Sequence, residues 1–492
     1  MSLVVVLERG LPATLPVGAS SAIFCAGACF DTDQEIVGLG LEVGGVRHPP
    51  SAFGMARPDL VAAHPDWPGH ALRCGFWGTV PVPAADVPGP VAVEIAVRFA
   101  DGGEAQAELG RIEVVAREPP PETPARPKRP ERPQRPERPE QPDGETIAVC
   151  MATFAPDMGL LRAQIDSLRA QTDQAWICLI SDDATPPEHY EQIVELIGDD
   201  ERFAISRSPE RQGFYRNFER ALEMVPASAA LVALCDQDDR WHDDKLATLR
   251  AALGDAVLVY SDQRLVDAAG RVLRSTMWRG RSNNYRSLVS MLVANTITGA
   301  ATLFRRELLA LALPFPDTPG FQFHDTWLSV IALAAGEVRY VDRPLYDYVQ
   351  HPGAVFGDVT HGRAVAARHG ITAWRAAYFY GYLGRAAQAQ VALARCGPTM
   401  AEDKRRALVR FLACDSSLAA TAWLALRAAR AAFGHTETLG SELGLVRGLA
   451  WKMVATLAAR HPRLAQTRLG DASPPPPDAF SQVRLRRWRS RL

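Results

Sequence analysis

The segment Leu234-Cys235-Asp236-Gln237-Asp238-Asp239-Arg240-Trp241 climbs out of an apolar run, Ala229 to Cys235, into three carboxylates within four positions. A helix-like stretch follows at Asp243-Asp244-Lys245-Leu246. A short apolar run ahead of an acidic turn reads as a buried strand that ends at a site. Carboxylates at i and i+2 of an extended segment project to one side, so Asp236 and Asp238 can present oxygens to one hard divalent cation, Mg²⁺ or Mn²⁺. Taken alone, the same residues read first as a solvated loop that caps the next helix, because short acidic matches are common.

The flanking sequence supplies the context. Thr146 to Thr153 is a buried-strand pattern, and Leu160, Leu161, Ile165 and Leu168 recur at helical spacing between Met158 and Ala170. A second strand, Ala175 to Ile180, ends at Ser181-Asp182-Asp183-Ala184-Thr185. A helix over His189 to Ile197, a strand at Phe203-Ala204-Ile205 and a helix over Phe218 to Val225 complete the run up to Asp236. Alternating strands and helices predict an open, mostly parallel sheet. Ligands of such sheets bind at the carboxyl ends of the strands, so Asp182, Asp183, Asp236 and Asp238 are expected to converge on one crevice. Neither GxGxxG nor GxxxxGK[ST] occurs here, so no dinucleotide fingerprint and no phosphate loop of that kind is expected. Asp267 to Gly270 reads as a hairpin turn, and Arg279, Arg281, Asn283 and Asn284 form a polar loop ahead of a helix over Leu288 to Leu292.

Upstream, residues 1–116 hold short apolar runs separated by Gly, Pro and Asp, at the spacing of an all-β sandwich. Val43-Gly44-Gly45-Val46 reads as a hairpin turn. Arg57-Pro58-Asp59-Leu60 reads as a buried ion pair with a turn, and Cys74-Gly75-Phe76-Trp77 as core. Residues 117–145 repeat Arg-Pro-Glu and Arg-Pro-Gln. Proline at this density forbids helix and sheet and favours polyproline II, a semi-rigid spacer that would reach roughly 80 Å fully extended. Downstream of the central domain (146–357), residues 358–470 carry Ala- and Leu-rich segments with Arg at helical spacing. They read as three or more amphipathic helices that pack on the catalytic domain or face a membrane or partner. Residues 471–492 form a Pro-rich and basic tail with five arginines, one Trp and two Leu from Arg484 onward. It suits peripheral contact with an anionic lipid surface, and reads equally as a solvated end.

Composition narrows the classes. The chain has 492 residues, 47% apolar and 22% charged, with formal net charge −2. These values fit two to four globular domains and give no reason to expect nucleic acid. The eight cysteines are scattered without a CxxC pair, which argues against zinc and for a reducing, cytoplasmic compartment. The N-terminus lacks the basic start and long apolar run of a secretory signal, and no stretch is apolar enough for a transmembrane helix.

Eight motifs in order carry a resemblance. They are Met151-Ala152-Thr153-Phe154; Ser181-Asp182-Asp183-Ala184-Thr185; Gly213-Phe214 with Asn217; Asp236-Gln237-Asp238-Asp239-Arg240-Trp241 with Lys245; Tyr260-Ser261-Asp262; Asn295 to Ala300; Phe323-His324-Asp325-Thr326-Trp327; and Tyr348-Val349-Gln350-His351. Together, over residues 146–357, they resemble the family 2 glycosyltransferases of the GT-A fold, in particular the bacterial rhamnosyltransferase-like members that build surface polysaccharides. Ala184 stands where many members carry Gly. The resemblance implies an open mixed sheet flanked by helices, between the β-sandwich and the helical C-terminal region. It implies a nucleotide-sugar donor (UDP-, dTDP- or GDP-linked) and transfer, with inversion, to a hydroxyl of a growing glycan or lipid-linked glycan, at the cytoplasmic face of the inner membrane. Thr153, Phe154, Asp182, Asp183, Gly213, Asn217, Asp236, Gln237 and Trp241 would line the nucleotide-sugar site. Asp236 and Asp238, with His351 as an added ligand, would hold Mg²⁺ or Mn²⁺ against the donor diphosphate. Asp325 would be the general base; the residues alone read it equally as the N-cap of the helix that follows. Trp241 and Trp327 would form sugar platforms, or core.

Two rivals remain at this level. A nucleotidyltransferase would want a basic, glycine-rich loop after the first strand, and Met151 to Gly159 has no such basic group. A non-catalytic glycan-binding protein with an inert domain of the same outline would have no need of Asp236, Asp238 and Asp325.

Overall fold

Alternating apolar residues and glycine- or proline-bearing turns build the N-terminal third as strands. In the computed structural model, which describes residues 3–116, 146–278, 282–320, 322–351, 371–432, 438–467 and 469–475, nine strands precede residue 117. They are β1 (Leu3–Leu7), β2 (Thr14–Pro16), β3 (Ser21–Asp31), β4 (Ile36–Val43), β5 (Val46–His48), β6 (Ala52–Met55), β7 (Gly75–Val82), β8 (Gly89–Phe99) and β9 (Glu104–Val115), with a short helix α1 (Pro58–Ala63). They form two sheets, in the orders β1-β3-β7-β6 and β2-β9-β8-β4-β5. The predicted hairpin is present, with Val43 opposite Val46 across Gly44-Gly45. Arg57 is buried and pairs with Asp59 at 2.7 Å and with Glu8. Phe76 and Trp77 are core. The Pro-rich linker, Arg279 and Arg281 of the polar loop, and the basic tail beyond residue 475 lie outside the described residues.

The central region contributes β10 (Ile147–Thr153), α2 (Met158–Arg169), β11 (Trp176–Asp182), α3 (Pro187–Ile197), β12 (Phe203–Arg207), α4 (Phe214–Glu223), β13 (Leu231–Cys235), β14 (Arg240–Trp241), α5 (Lys245–Leu253), β15 (Leu258–Asp267), β16 (Val272–Arg274), α6 (Leu288–Val293), β17 (Thr302–Arg305), α7 (Leu309–Ala312), α8 (His324–Ala335) and β18 (Val338–Gln350). The sheet runs β12-β11-β10-β13-β17-β15-β18-β14, with β16 paired to β15. Strands β12, β11, β10 and β13 are mutually parallel. Strand β17 then inserts antiparallel between β13 and β15. The sheet is therefore mixed rather than mostly parallel. Residues Leu231–Cys235 are buried throughout, as a central strand covered on both faces requires.

The C-terminal region is helical: α9 (Ile371–Ala376), a π-helical stretch over Ala377–Leu383, α10 (Gly384–Cys396), α11 (Glu402–Leu412), α12 (Leu418–Ala432), α13 (Leu439–Ala459) and α14 (Pro462–Ala465). These helices pack on both other regions. Trp77 of the sandwich donates Nε1–H to Tyr378 Oη at 3.2 Å and stacks on Trp451 with ring centroids 6.3 Å apart. Arg395 donates to Ser20 O at 2.9 Å and also to Leu311 O and Ala312 O, tying the sandwich to the central domain. Ala22, Ala26, Ala52 and Trp77 belong to the same apolar core as the central sheet. The sheet β1-β3-β7-β6 is thus covered on both faces, one by its partner sheet and one by helices. All eight cysteines are buried free thiols, acting as small hydrophobes.

Candidate active site

Parallel pairing of β11, β10 and β13 brings three strand ends together. Thr153 stands opposite Asp182, and Met151 opposite Cys235. Past these ends the chain makes tight turns, in which Ala155 (φ 38°) and Ala184 (φ 60°) take left-handed backbone that L-residues adopt at a cost. Asp182 is fully buried and organises both turns: its carboxylate accepts from Thr153 Oγ1 (3.0 Å), Thr185 Oγ1 (2.6 Å) and the Thr185 amide (3.0 Å). Thr185 Oγ1 in turn accepts from the Ala155 amide at 2.8 Å. Asp183, also buried, accepts from the amides of Gln212 (2.7 Å) and Gly213 (2.9 Å). That pull sets the entry of α4, where Gly213 takes φ 86°. Asn217 on α4 accepts from Ser181 Oγ at 2.7 Å and donates to Thr153 O at 3.1 Å. Phe154 is half-buried at the rim, and the guanidinium of exposed Arg211 lies 3.8 Å from its ring centroid. Gln237 grips the Phe154 backbone from the neighbouring strand end, accepting from its amide at 2.8 Å and donating to its carbonyl at 3.3 Å.

The acidic segment lies beside this frame. Asp236 to Asp239 form a turn between β13 and β14, so strand alternation does not aim Asp236 and Asp238, contrary to expectation. Burial, then Asp238 and Asp325, push the Asp236 carboxyl up to about 7 against the pull of Lys245. Asp239 is buried and raised by burial and by Asp236 and Asp238; its Oδ1 accepts from the Val349 amide at 3.2 Å, and Oδ2 has no partner. Lys245 is wholly buried, its Nζ 3.3 Å from the Trp241 ring centroid and donating to Ala300 O. Burial pulls this ammonium down to about 7 against the carboxylates nearby. Asp325 sits in the first turn of α8. Burial raises it to about 6, against hydrogen bonds from Thr326, Asn295 and the Gly299 amide. Its neighbour His324 is buried on the Phe218 ring, centroids 3.7 Å apart, with both ring nitrogens unpartnered; burial lowers it to about 3. A side chain at Gly299 would meet His324 Nε2 at 2.6 Å, so only glycine fits there. His351, just past β18, shares a hydrogen bond of 2.9 Å with Asp238, which raises the imidazole.

Several expectations need correction. Trp241 and Trp327 are core, not sugar platforms: they are 2% and 0% exposed, Trp241 under Lys245 and Trp327 with Nε1 bonded to Ala312 O at 2.8 Å. Asp325 is not the N-cap of α8; Phe323 takes that position, and Asp325 lies inside the helix. Of the expected metal ligands, His351 is hydrogen-bonded to Asp238 at 2.9 Å and Asp236 lies in the same turn as Asp238, while among the described residues no three His, Cys, Asp or Glu side chains are gathered closely enough to hold an ion. The donor chemistry nevertheless suits a hard cation, because Asp236, Asp238 and Asp239 share one turn with a buried ammonium nearby and an Asp239 oxygen without a partner. Sequence reasoning gave no role to Thr185, Arg211, Asn295 or Lys245. Of these, Lys245 carried a signal: a lysine inside the first apolar turn of a helix directly after an acidic cluster.

The profile of the family described as Glycosyl transferase family 2 matches residues 148–311. That span includes Asp236 and Asp238 and stops short of Asp325 and His351. Among curated proteins, an uncharacterized protein y4gI of Sinorhizobium fredii is 28% identical over 132 residues, 26% of this chain; the chain spans only 14% of that relative's length. Among solved structures, TarS 1-349 of S. aureus in complex with UDP-GlcNAc aligns at 14% identity and TM-score 0.41, over 69% of this chain and 92% of the other. The mannosyltransferase PcManGT of Pyrobaculum calidifontis, in complex with GDP-Man and Mn²⁺, aligns at 17% identity and TM-score 0.33, over 64% and 91%. At these scores the two structures are likenesses from which nothing about this site follows.

Proposed function

Residues 148–311 being a family 2 glycosyltransferase domain, we propose that this chain transfers a sugar from a nucleotide-sugar donor to a hydroxyl of a growing surface glycan, with inversion and with the help of a divalent cation. The observation that carries the reading is the place of Asp325, a half-buried carboxyl in the first turn of α8, close enough to the Asp236 carboxyl after β13 to raise it and itself raised to about 6. A general base works best with a pKa near the operating pH. Asp325 takes the proton of the acceptor hydroxyl as its oxygen bonds to the anomeric carbon. The bond from that carbon to the diphosphate oxygen breaks, and the nucleoside diphosphate leaves. Thr326, Asn295 and Gly299 hold the carboxylate in place for this step.

On this reading the turns ordered by Asp182 and Asp183 shape the nucleotide cleft, with Phe154 and Arg211 at its rim and Gln237 fixing the Phe154 backbone. Asp236 and Asp238 would hold Mg²⁺ or Mn²⁺, with His351 joining once it releases Asp238. When bound, the cation neutralises charge that develops on the diphosphate. The donor is a UDP-, dTDP- or GDP-sugar, and the acceptor a glycan or lipid-linked glycan at the cytoplasmic membrane face.

Calorimetric titration of UDP, dTDP and GDP, each with and without Mn²⁺, tests the proposal on the wild type and on Asp236→Ala/Asp238→Ala. Metal-dependent binding of one nucleotide, lost in the double variant, is expected. No binding of any of the three under either condition would overturn the transferase reading.

A further inference from the structure

Helices α12 and α13 pack against each other, and both are apolar on their outer as well as their inner sides. Every fully exposed side chain described on α12 is Leu or Ala, with Leu418 at 74% and Leu426 at 67% exposure. On α13 the exposed side chains are Leu443, Met453, Val454 and Leu457, the last at 60%. The inner side of α13 is already filled by Trp451 against Trp77 and Tyr378. A helix apolar all round is normally buried, and contiguous exposed apolar area marks a contact surface. No single described helix is long and apolar enough to cross a membrane.

Charge says what covers this face. Residues 371–492 carry 19 Arg and Lys against 7 Asp and Glu, a net +12, while residues 1–370 carry 35 against 49, a net −14. Four of the seven acidic groups in residues 371–492 are paired: Asp415 with Lys452, Glu442 with Arg427, Asp471 with Arg375, and Glu402 with Arg405 and Arg406. Arg405, Arg406 and Arg410 stand outward on α11, the first two sharing Glu402, with Arg460 at the end of α13 and Arg463 on α14. Arg410 bridges to α12, its guanidinium 4.9 Å from the Trp423 ring centroid. Apolar side chains bordered by arginines are the pattern of a surface that lies in the headgroup region of an anionic bilayer. Without the tail, residues 371–470 carry 14 Arg and Lys against 5 Asp and Glu, a net +9, so a second copy would set like charge against like, and the tail, with five arginines, has the same sign as the face itself.

We infer that the outer face of α12 and α13 is the surface by which this protein docks onto an anionic lipid bilayer, its apolar side chains among the acyl boundary and the α11 and α13 arginines among the phosphates. The inference stands apart from the transferase reading. Its test is sedimentation of the full chain with vesicles of phosphatidylcholine alone and of phosphatidylcholine mixed with phosphatidylglycerol. Wild type is expected to bind the mixed vesicles about tenfold better, and less as salt rises. Leu426→Glu with Leu457→Glu, two exposed positions, is expected to lower that binding about tenfold. An unchanged thermal transition would show that this variant is folded. Three outcomes would overturn the inference: no vesicle binding by wild type; equal binding by the variant, which would place the contact in the tail; or a dimer in light scattering that the variant dissolves without any vesicle binding.

Discussion

The side-chain amide of Gln237 and the backbone of Phe154 form a closed pair, with the Phe154 amide donating to Gln237 Oε1 at 2.8 Å and Gln237 Nε2 donating back to Phe154 O at 3.3 Å. The pair couples the end of β10 to the acidic turn after β13 and so ties the proposed nucleotide rim to the carboxylates. Two such hydrogen bonds contribute about 1 kcal/mol each. Gln237→Ala is expected to weaken nucleotide binding by about tenfold, measured by calorimetry. Gln237→Glu, which loses the donor and adds charge beside Asp236 and Asp238, is expected to weaken it further without metal.

Asp325 sets a pH dependence with a definite sign. Its folded-state pKa is raised to about 6, and as the proposed base it must be ionised to accept a proton. Turnover is therefore expected to rise about tenfold per pH unit below 6 and to level off above it. Asp325→Asn is expected to cut kcat by about 10²- to 10⁴-fold while nucleotide affinity stays within a few-fold. A variant with unchanged kcat would remove Asp325 from the chemistry.

Ala184 carries a cost that glycine would not. Its φ of 60° places an L-residue in left-handed backbone, at about 1–2 kcal/mol, part of which glycine returns through unfolded-state entropy. Ala184→Gly is expected to stabilise the protein by about 1 kcal/mol, read as a higher urea midpoint at unchanged m-value.

Asp347 anchors the far edge of the sheet. It is fully buried, with Arg240 at 2.6 Å, Arg264 at 2.5 Å and His242 at 3.3 Å. Burial would raise this carboxyl, but the hydrogen bonds from His242, Arg264 and Arg240 outweigh it and hold the group well below the usual carboxylate range. A depressed folded-state pKa stabilises above the unfolded value of about 4 and is lost as pH falls through the folded value. Asp347→Asn is expected to cost about 2 kcal/mol at neutral pH, less than a fully buried pair because both arginines reach solvent. The gap to wild type is expected to narrow as pH falls below about 4 and to vanish only as pH falls through the depressed folded value, followed by denaturation at several pH values.

The order of strands and helices was legible because each element advertises its own period. Leu160, Leu161, Ile165 and Leu168 predict α2, and the apolar run before Asp236 predicts β13. The place of the carboxylates was legible as well, since parallel strands put their carboxyl ends together. Depth was not. Trp241 looks like a platform beside an acidic motif, and only its cover by Lys245, four residues on, makes it core. Nor does the sequence reveal that Asp182 is held by Thr185 and Thr153, or that Gln237 reaches Phe154, 83 residues away. The antiparallel insertion of β17 between β13 and β15 pairs segments about 70 residues apart, which no local pattern announces. The docking of the sandwich was hidden for the same reason: Trp77 and Tyr378 meet across 301 residues.

That last contact sets a schedule for biosynthesis. The sandwich leaves the ribosome well before the helical region, yet the face bearing Ala22, Ala26, Ala52 and Trp77 is sealed by helices made after residue 370. At about 5–20 residues per second, the newborn domain holds a sticky side open to solvent for roughly 15–60 s, long enough for chaperones to engage it. Truncations that stop before α10 leave that side bare for good, and they are expected to aggregate through the N-terminal domain even though its own two-sheet core is complete.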